Sequence, residues 1–182
     1  MLLVKDIILK DNPDIRRVAE EVPTPVSKKD LQTLKEMVKY LERSQDEKQC
    51  EKYGLTPGVG LAAPQIDVNK RMLAVLVDDG DEEPWRWGII NPVVLATSVQ
   101  MTYLSGGEGC LSIPGERGVV LRHKKIKFRA LFYDYKSKTL EEKTVTLSGY
   151  KAIVFQHEFD HLNGVLFTDK VTNNPGDAEP CS

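Results

Sequence analysis

Residues 149–164 read Gly149-Tyr150-Lys151-Ala152-Ile153-Val154-Phe155-Gln156-His157-Glu158-Phe159-Asp160-His161-Leu162-Asn163-Gly164, and they contain His157-Glu158-x-x-His161. On an α-helix, residues i and i+4 lie one above the other on one face. Two imidazoles so placed can hold one metal ion, with Glu158 beside them. Ala152, Phe155, Phe159 and Leu162 fall at i, i+3, i+7 and i+10 and form one apolar stripe. Ile153, His157 and His161 form a second stripe, and Gly164 reads as the stop. A helix apolar on more than one face is a buried helix. Histidines and acids inside it are costly unless partnered, and a metal ion is one such partner. The competing reading is a pair of hydrogen-bonded core histidines.

The rest of the chain limits what this helix can serve. At 182 residues it suits one domain with a sizeable core. With 25 basic and 27 acidic residues the net charge is −2, so no basic field points to nucleic acid or an anionic membrane. No run of about 18 apolar residues suggests a membrane span. The start, Met1-Leu2-Leu3-Val4-Lys5-Asp6, meets charge too early for a signal peptide. Three cysteines at unrelated spacings (Cys50, Cys110, Cys181) do not suggest a disulfide framework. A reducing cytoplasm fits, and there a cysteine serves more often as ligand or nucleophile.

The flanking segments alternate between strand and turn. An arm over residues 1–26 carries the apolar runs Ile7-Ile8-Leu9 and Ile15 to Val18, and Pro23 and Pro25 close it. Ser27-x-x-Asp30 resembles a capping box. Leu31, Leu34, Val38 and Leu41 then follow at helical spacing, which predicts an amphipathic helix over 28–43. A short charged helix is read at 45–53, with Cys50 in it. Pro57-Gly58-Val59-Gly60-Leu61-Ala62-Ala63-Pro64-Gln65 lacks the third glycine of a dinucleotide fingerprint, and a plain turn would explain it. Strands are predicted at 71–77, at 89–95 with a bulge at Asn91-Pro92, and at 99–104. More are predicted at 119–122, 126–133, 144–147 and 165–171, and an acidic turn at 78–83. Ile126, Phe128, Ala130 and Phe132 alternate as a half-buried antiparallel strand should. The fold expected is α+β: antiparallel or mixed sheets packed around a central metal-binding helix, with an amphipathic N-terminal helix. Residues 1–182 are read as a single domain, with 173–182 as a flexible tail.

Two histidines leave a catalytic ion one ligand short, since such sites usually take three protein ligands and keep a position open. After His-Glu-x-x-His the third is usually a downstream His or Glu. Here only Asp169, Asp177 and Glu179 follow, and no histidine. His123, among Arg122, Lys124 and Lys125, reads as part of a solvated basic face. Cys110 is the better candidate, because thiolates bind zinc and iron strongly and Gly109 lets the backbone come close.

Three segments taken together resemble one family. Gly58-Val59-Gly60-Leu61-Ala62-Ala63-Pro64-Gln65, Glu108-Gly109-Cys110-Leu111-Ser112 and Gln156-His157-Glu158-Phe159-Asp160-His161 are similar, in order, to the three motifs of peptide deformylases. The resemblance extends from the N-terminal arm to about Asp169. Segments 44–57 and 78–88 look like the insertions of the longer Gram-positive-type subgroup, and the short tail matches its lack of a C-terminal helix.

The resemblance implies a metal-dependent hydrolase that removes the formyl group from N-formylmethionyl nascent peptides and releases formate. It implies Cys110, His157 and His161 as ligands of Fe(2+), for which Zn(2+), Ni(2+) or Co(2+) can substitute. A metal-activated water would attack the formyl carbon, with Glu158 as general base and acid. Gln65 and the Leu111 N–H would hold the oxyanion. Gly58, Gly60 and Gly109 would let the substrate backbone pair beside the metal. Val59, Tyr150, Ile153 and Val154 would line the methionine pocket. Glu108 would orient a ligand, and Asp160 would either do likewise or pair with an arginine. The setting implied is the cytoplasm, with transient ribosome contact, no sequence-specific nucleic-acid binding and no membrane. Two alternatives differ in class. A zincin-type metallopeptidase needs a downstream ligand. A structural zinc domain needs four closed ligands, for which only Cys50 and Cys181 are spare.

Overall fold

Strand alternation, one amphipathic helix and one buried helix set the architecture of the computed structural model, which describes residues 1–80 and 83–181. The elements in chain order are α1 (Lys28–Gln45), α2 (Glu47–Tyr53), β1 (Gly60–Ala62), β2 (Met72–Val77), β3 (Trp85–Thr97), β4 (Met101–Tyr103), β5 (Glu108–Cys110), β6 (Ile113–Gly118), β7 (Arg122–His123), β8 (Lys125–Asp134), β9 (Thr139–Ser148), α3 (Gly149–Leu162) and β10 (Glu179–Pro180). A five-stranded sheet runs β1-β2-β3-β8-β9, with every pairing antiparallel. Two smaller sheets pair β10-β4-β7 and β5-β6. The fold is α+β.

β2 shows how the layers form. All six of its residues are buried. Met72, Ala74 and Leu76 pack with Leu34, Met37 and Leu41 of α1. Leu73, Val75 and Val77 pack with Ala152, Phe155 and Leu162 of α3. The sheet therefore lies between the two helices, and period-2 alternation sends successive side chains to opposite layers. On β8, Ile126, Phe128, Ala130 and Phe132 are buried as the alternation predicts. Phe128 stacks on Phe155 of α3 with ring centroids 3.8 Å apart.

Helix ends follow local chemistry. The Ser27 hydroxyl accepts from the Asp30 N–H and starts α1. At the other end of the chain, α3 ends at Leu162; two residues on, Gly164 has a φ of +70°, and an added Cβ there would lie 2.2 Å from the Arg16 carbonyl oxygen. Only glycine fits there, so the N-terminal arm is pinned under the metal-motif helix. Arg71 donates to the Leu162 carbonyl at 3.2 Å and to Asn163 Oδ1 at 3.1 Å, placing a cation at the helix C-terminus.

Some expectations need correction. No strand forms over 165–171. Phe167–Asp169 is a 3-10 turn, and Val171 makes one isolated bridge to Val120. The Asp169 carboxylate accepts from the Leu166 N–H at 2.9 Å and curls the segment. Of the strand predicted at 119–122 only Arg122 lies in one, as the first residue of β7, while Ile113–Gly118 forms an unforeseen strand. Within the tail, Glu179–Pro180 form β10, in parallel contact with β4. Residues 81–82 of the predicted acidic turn and Ser182 lie outside the described residues.

Candidate metal centre

Three elements bring the predicted ligands together. His157 and His161 project from α3 one turn apart, with ring centroids separated by 5.2 Å. Cys110 ends β5 at the tight turn into β6, where it pairs with Ile113. Ile113 is buried beside Ile15, Val120, Leu166 and Phe167, and that cluster anchors the hairpin. The ligand atoms of Cys110, His157 and His161 all lie within 4.8 Å of one another, and Cys110 Sγ is 3.4 Å from His161 Nε2. One soft thiolate and two imidazoles at this spread fit a single divalent transition ion.

The surroundings are tuned for such an ion. Glu108 Oε2 lies 2.8 Å from His157 Nδ1, which directs the other ring nitrogen toward Cys110. Arg122 donates to both Glu108 oxygens at 2.8 Å, a buried two-pronged pair. Burial would raise the Glu108 carboxyl, but the bonds from Arg122 and His157 outweigh it and hold it at about 2. Burial lowers the His157 imidazole, yet Cys110, Glu108 and Glu158 together carry it up to about 10. Ligation takes the neutral imidazole, so metal binding at this ring competes with protonation. Burial and the charge on His157 hold His161 well below its ordinary value, so it is a neutral donor. Burial pushes Glu158 up to about 7. Among the described residues, His161 Nδ1 and Glu158 Oε2 are buried with no hydrogen-bond partner. Unpaired buried polar atoms call for a ligand or water.

Gln65 faces the same centre. It sits in the 3-10 turn Ala63–Ile66 that follows β1. Its Oε1 accepts from the Ala62 N–H at 2.9 Å, so its amide nitrogen points at Ser112 Oγ (3.2 Å) and Cys110 Sγ (3.5 Å). A cavity of about 500 Å³ opens over the centre. Every predicted site residue except His161 lines it, including Leu111, Gly109, Val59, Tyr150, Ile153 and Val154. His161 is beneath, only 1% exposed.

The model of the polypeptide deformylase family matches residues 4–175. The chain belongs to the peptide deformylase family. It is 47% identical to a peptide deformylase of Halalkalibacterium halodurans over 172 residues, 94% of this chain and 92% of that one. It is also 47% identical to peptide deformylase 2 of Bacillus cereus over 186 residues, 99% of this chain and 98% of that one. A Met-Ala-Ser-bound crystal structure of a class I type b deformylase from Acinetobacter baumannii superposes with a TM-score of 0.72 at 28% identity, covering 91% of this chain and 96% of that one.

Within this deformylase fold, sequence reasoning mistook one residue and missed others. Arg122 is not on a solvated basic face; it is 2% exposed and joins Glu108 to Asp160. Asp160 thus pairs with an arginine, and Lys170 also donates to both its oxygens at 2.8 Å. His123 is half-buried, with Nδ1 at 2.7 Å from the Ser98 carbonyl and its backbone tied to the Gln156 amide. Two buried acids require a buried cation, but the sequence does not say which of its basic residues turns inward. Gly60 has a reason invisible in sequence: an added Cβ would lie 2.4 Å from Glu158 Oε1. Gln45, at the end of α1, lines the cavity and was not singled out at all.

Proposed function

We infer that this chain is a metal-dependent hydrolase that removes the formyl group from N-formylmethionyl peptides and releases formate. The observation that carries the reading is the convergence of Cys110, His157 and His161 within 4.8 Å of one another at a cavity that Glu158 also lines. Cys110, His157 and His161 would hold a divalent ion, which would supply Lewis acidity toward the formyl carbonyl and bring the pKa of a water toward about 7.

The chain's own residues do the remainder. Glu158, pushed up to about 7, takes the proton of the attacking water and returns it to the leaving amine. The Gln65 amide N–H and the Leu111 backbone N–H stabilise the developing oxyanion, a contribution on the order of 3 kcal/mol per donor. Glu108 holds the His157 ring, and Arg122 holds Glu108. Val59, Tyr150, Ile153 and Val154 supply apolar walls for the methionine side chain. β1 pairs on one side only, with β2, so its free edge at Gly60 can take an extended peptide, with Gly109 across the cavity. The peptide in the Acinetobacter baumannii complex supports a short methionyl peptide as ligand.

The same reading makes residues 1–182 one catalytic domain. Family resemblance makes Fe(2+) the expected ion, with Zn(2+), Ni(2+) or Co(2+) able to replace it; the thiolate–imidazole donor set suits a divalent transition ion without selecting among them. Nascent chains as substrate place the enzyme in the cytoplasm with transient ribosome contact. No helix among the described residues is long and apolar enough to cross a membrane. The test is anaerobic metal analysis with formate release from a formylated tripeptide. Formate release that disappears in Glu158→Gln while metal stays bound is expected. Cleavage of an internal peptide bond instead would replace this reading with a metallopeptidase.

A further inference from the structure

We propose that Ser44 and Gln45, in the last turn of α1, are positioning residues that set the peptide-pairing edge of the cavity. The proposal rests on the deformylase reading above and assigns a role to a helix end remote from the metal motifs.

The grip is specific. The Tyr40 hydroxyl donates to the Thr56 carbonyl at 3.2 Å. Ser44 Oγ accepts from the Gly58 N–H at 3.2 Å. Gln45 Nε2 donates to the Gly58 carbonyl and to the Leu76 carbonyl, both at 2.9 Å. Both backbone polar groups of Gly58 are thus held by adjacent residues of one helix turn.

The position of the Gln45 amide follows from the sheet. The antiparallel contact between β1 and β2 continues past Gly60 to a bond from the Leu76 N–H to the Val59 carbonyl, at 2.8 Å. One step further, the carbonyls of Gly58 and Leu76 both need donors. A primary amide offers two N–H groups on one nitrogen, which is what this gap requires. On the opposite side, an added Cβ on Gly58 would lie 3.1 Å from Leu111 Cδ1, and one on Gly60 would lie 2.4 Å from Glu158 Oε1. The segment is therefore held between α1 behind it and the reacting groups in front. A shift of Gly58 would move the free edge at Val59 and Gly60, and with it the register of a bound peptide.

The Gln45 part of this grip lies outside the core, whereas Tyr40 and Ser44 are buried. α1 is fastened to the sheet by Leu34, Met37 and Leu41, each 0% exposed, whereas Gln45 is exposed at the cavity rim. Losing its bonds frees the loop without opening the core. Peptide binding should suffer more than the chemical step, because the ligands and Glu158 sit on β5 and α3.

The experiment measures kcat and KM of the metal-loaded full chain on an N-formylmethionyl tripeptide and on a minimal N-formylmethionine amide. Gln45→Met, similar in length but without donors, should raise KM for the tripeptide about tenfold, or about 1.4 kcal/mol. It should leave kcat and Tm near wild type, with little change for the minimal substrate. Gln45→Glu should be worse, since a carboxylate would face two carbonyls. Ser44→Ala should shift KM in the same direction. Unchanged KM in Gln45→Met and Ser44→Ala overturns the proposal. Equal losses on both substrates with a lowered Tm also overturn it, because that is a folding defect. Amide exchange at residues 58–60 gives a readout independent of turnover. It should quicken in Gln45→Met, and unchanged exchange counts against the clamp even if the wild-type chain were inert on formyl substrates. That inertness would itself refute only the deformylase reading.

Discussion

Glu108→Ala tests the buried scaffold behind the metal ligands. Glu108 is 4% exposed and Arg122 2% exposed, and they are joined by two bonds of 2.8 Å. The substitution strands the guanidinium charge. Removing one member of a buried pair costs about 3–5 kcal/mol when the other charge is left uncompensated. Asp160 still accepts from Arg122 Nη1, so the lower figure applies. A loss of about 3 kcal/mol in a chain of this length lowers Tm by about 6–12 °C. A second effect is separate. His157 loses the acceptor 2.8 Å from Nδ1, and removing such a partner typically costs about 10–100-fold in metal affinity. The assays are thermal denaturation of metal-free protein, followed by far-UV circular dichroism, and competition for the bound ion with a chelator. Glu108→Gln, which keeps one carbonyl oxygen but no charge, should fall between wild type and alanine in both. A metal-free Tm within about 2 °C of wild type, equivalent to less than ~1 kcal/mol, would refute the stability argument. An unchanged chelator competition would show that Glu108 does not orient His157.

Three other tests probe different parts of the molecule. Gly60→Ala places a methyl 2.4 Å from Glu158 Oε1 and must displace that carboxylate. Since a misplacement of about 1 Å can cost on the order of 100-fold, kcat/KM should fall by about that factor with metal content intact, and near-normal turnover would free Glu158 from its assigned position. Cys110→Ser should lose its ion under mild chelation while Cys50→Ser and Cys181→Ser retain theirs, as measured by metal analysis after dialysis; equal retention in all three removes Cys110 from the ligand set. The Asp30 carboxyl is raised by burial but lowered further by its bonds with Lys70 and Ser27, so its net pKa is depressed. Its contribution to stability is present above the unfolded value of about 3.9 and is lost as pH falls through the folded value. Wild type should therefore lose more stability than Asp30→Asn between pH 5 and pH 3, read as urea midpoints; parallel losses would mean that the pair with Lys70 contributes nothing.

Local information was enough for much of this chain. The i, i+4 spacing of His157 and His161 put both rings on one helix face, because helix geometry is local. Alternation in 126–132 gave both the strand and its buried side, and Ser27 marked the start of α1 through a bond spanning three residues. The three motifs, in order, carried the family resemblance. Tertiary structure decided what depends on contacts between distant segments. Arg122 lies in a run with Lys124 and Lys125, and nothing local distinguishes it; it is buried because Glu108 and Asp160, 14 positions before it and 38 after, converge on it. Gly60 must be glycine because of Glu158, and Gly164 because of Arg16. The strand expected at 165–171 did not form, since Asp169 bonds back to the Leu166 N–H and curls the segment. Gln45 shows no motif at all, and its role arises where two carbonyls from separate segments meet at the end of a helix. Sequence spacing determines which groups share a face; only the closed fold determines which buried charges and unpaired carbonyls must meet a partner.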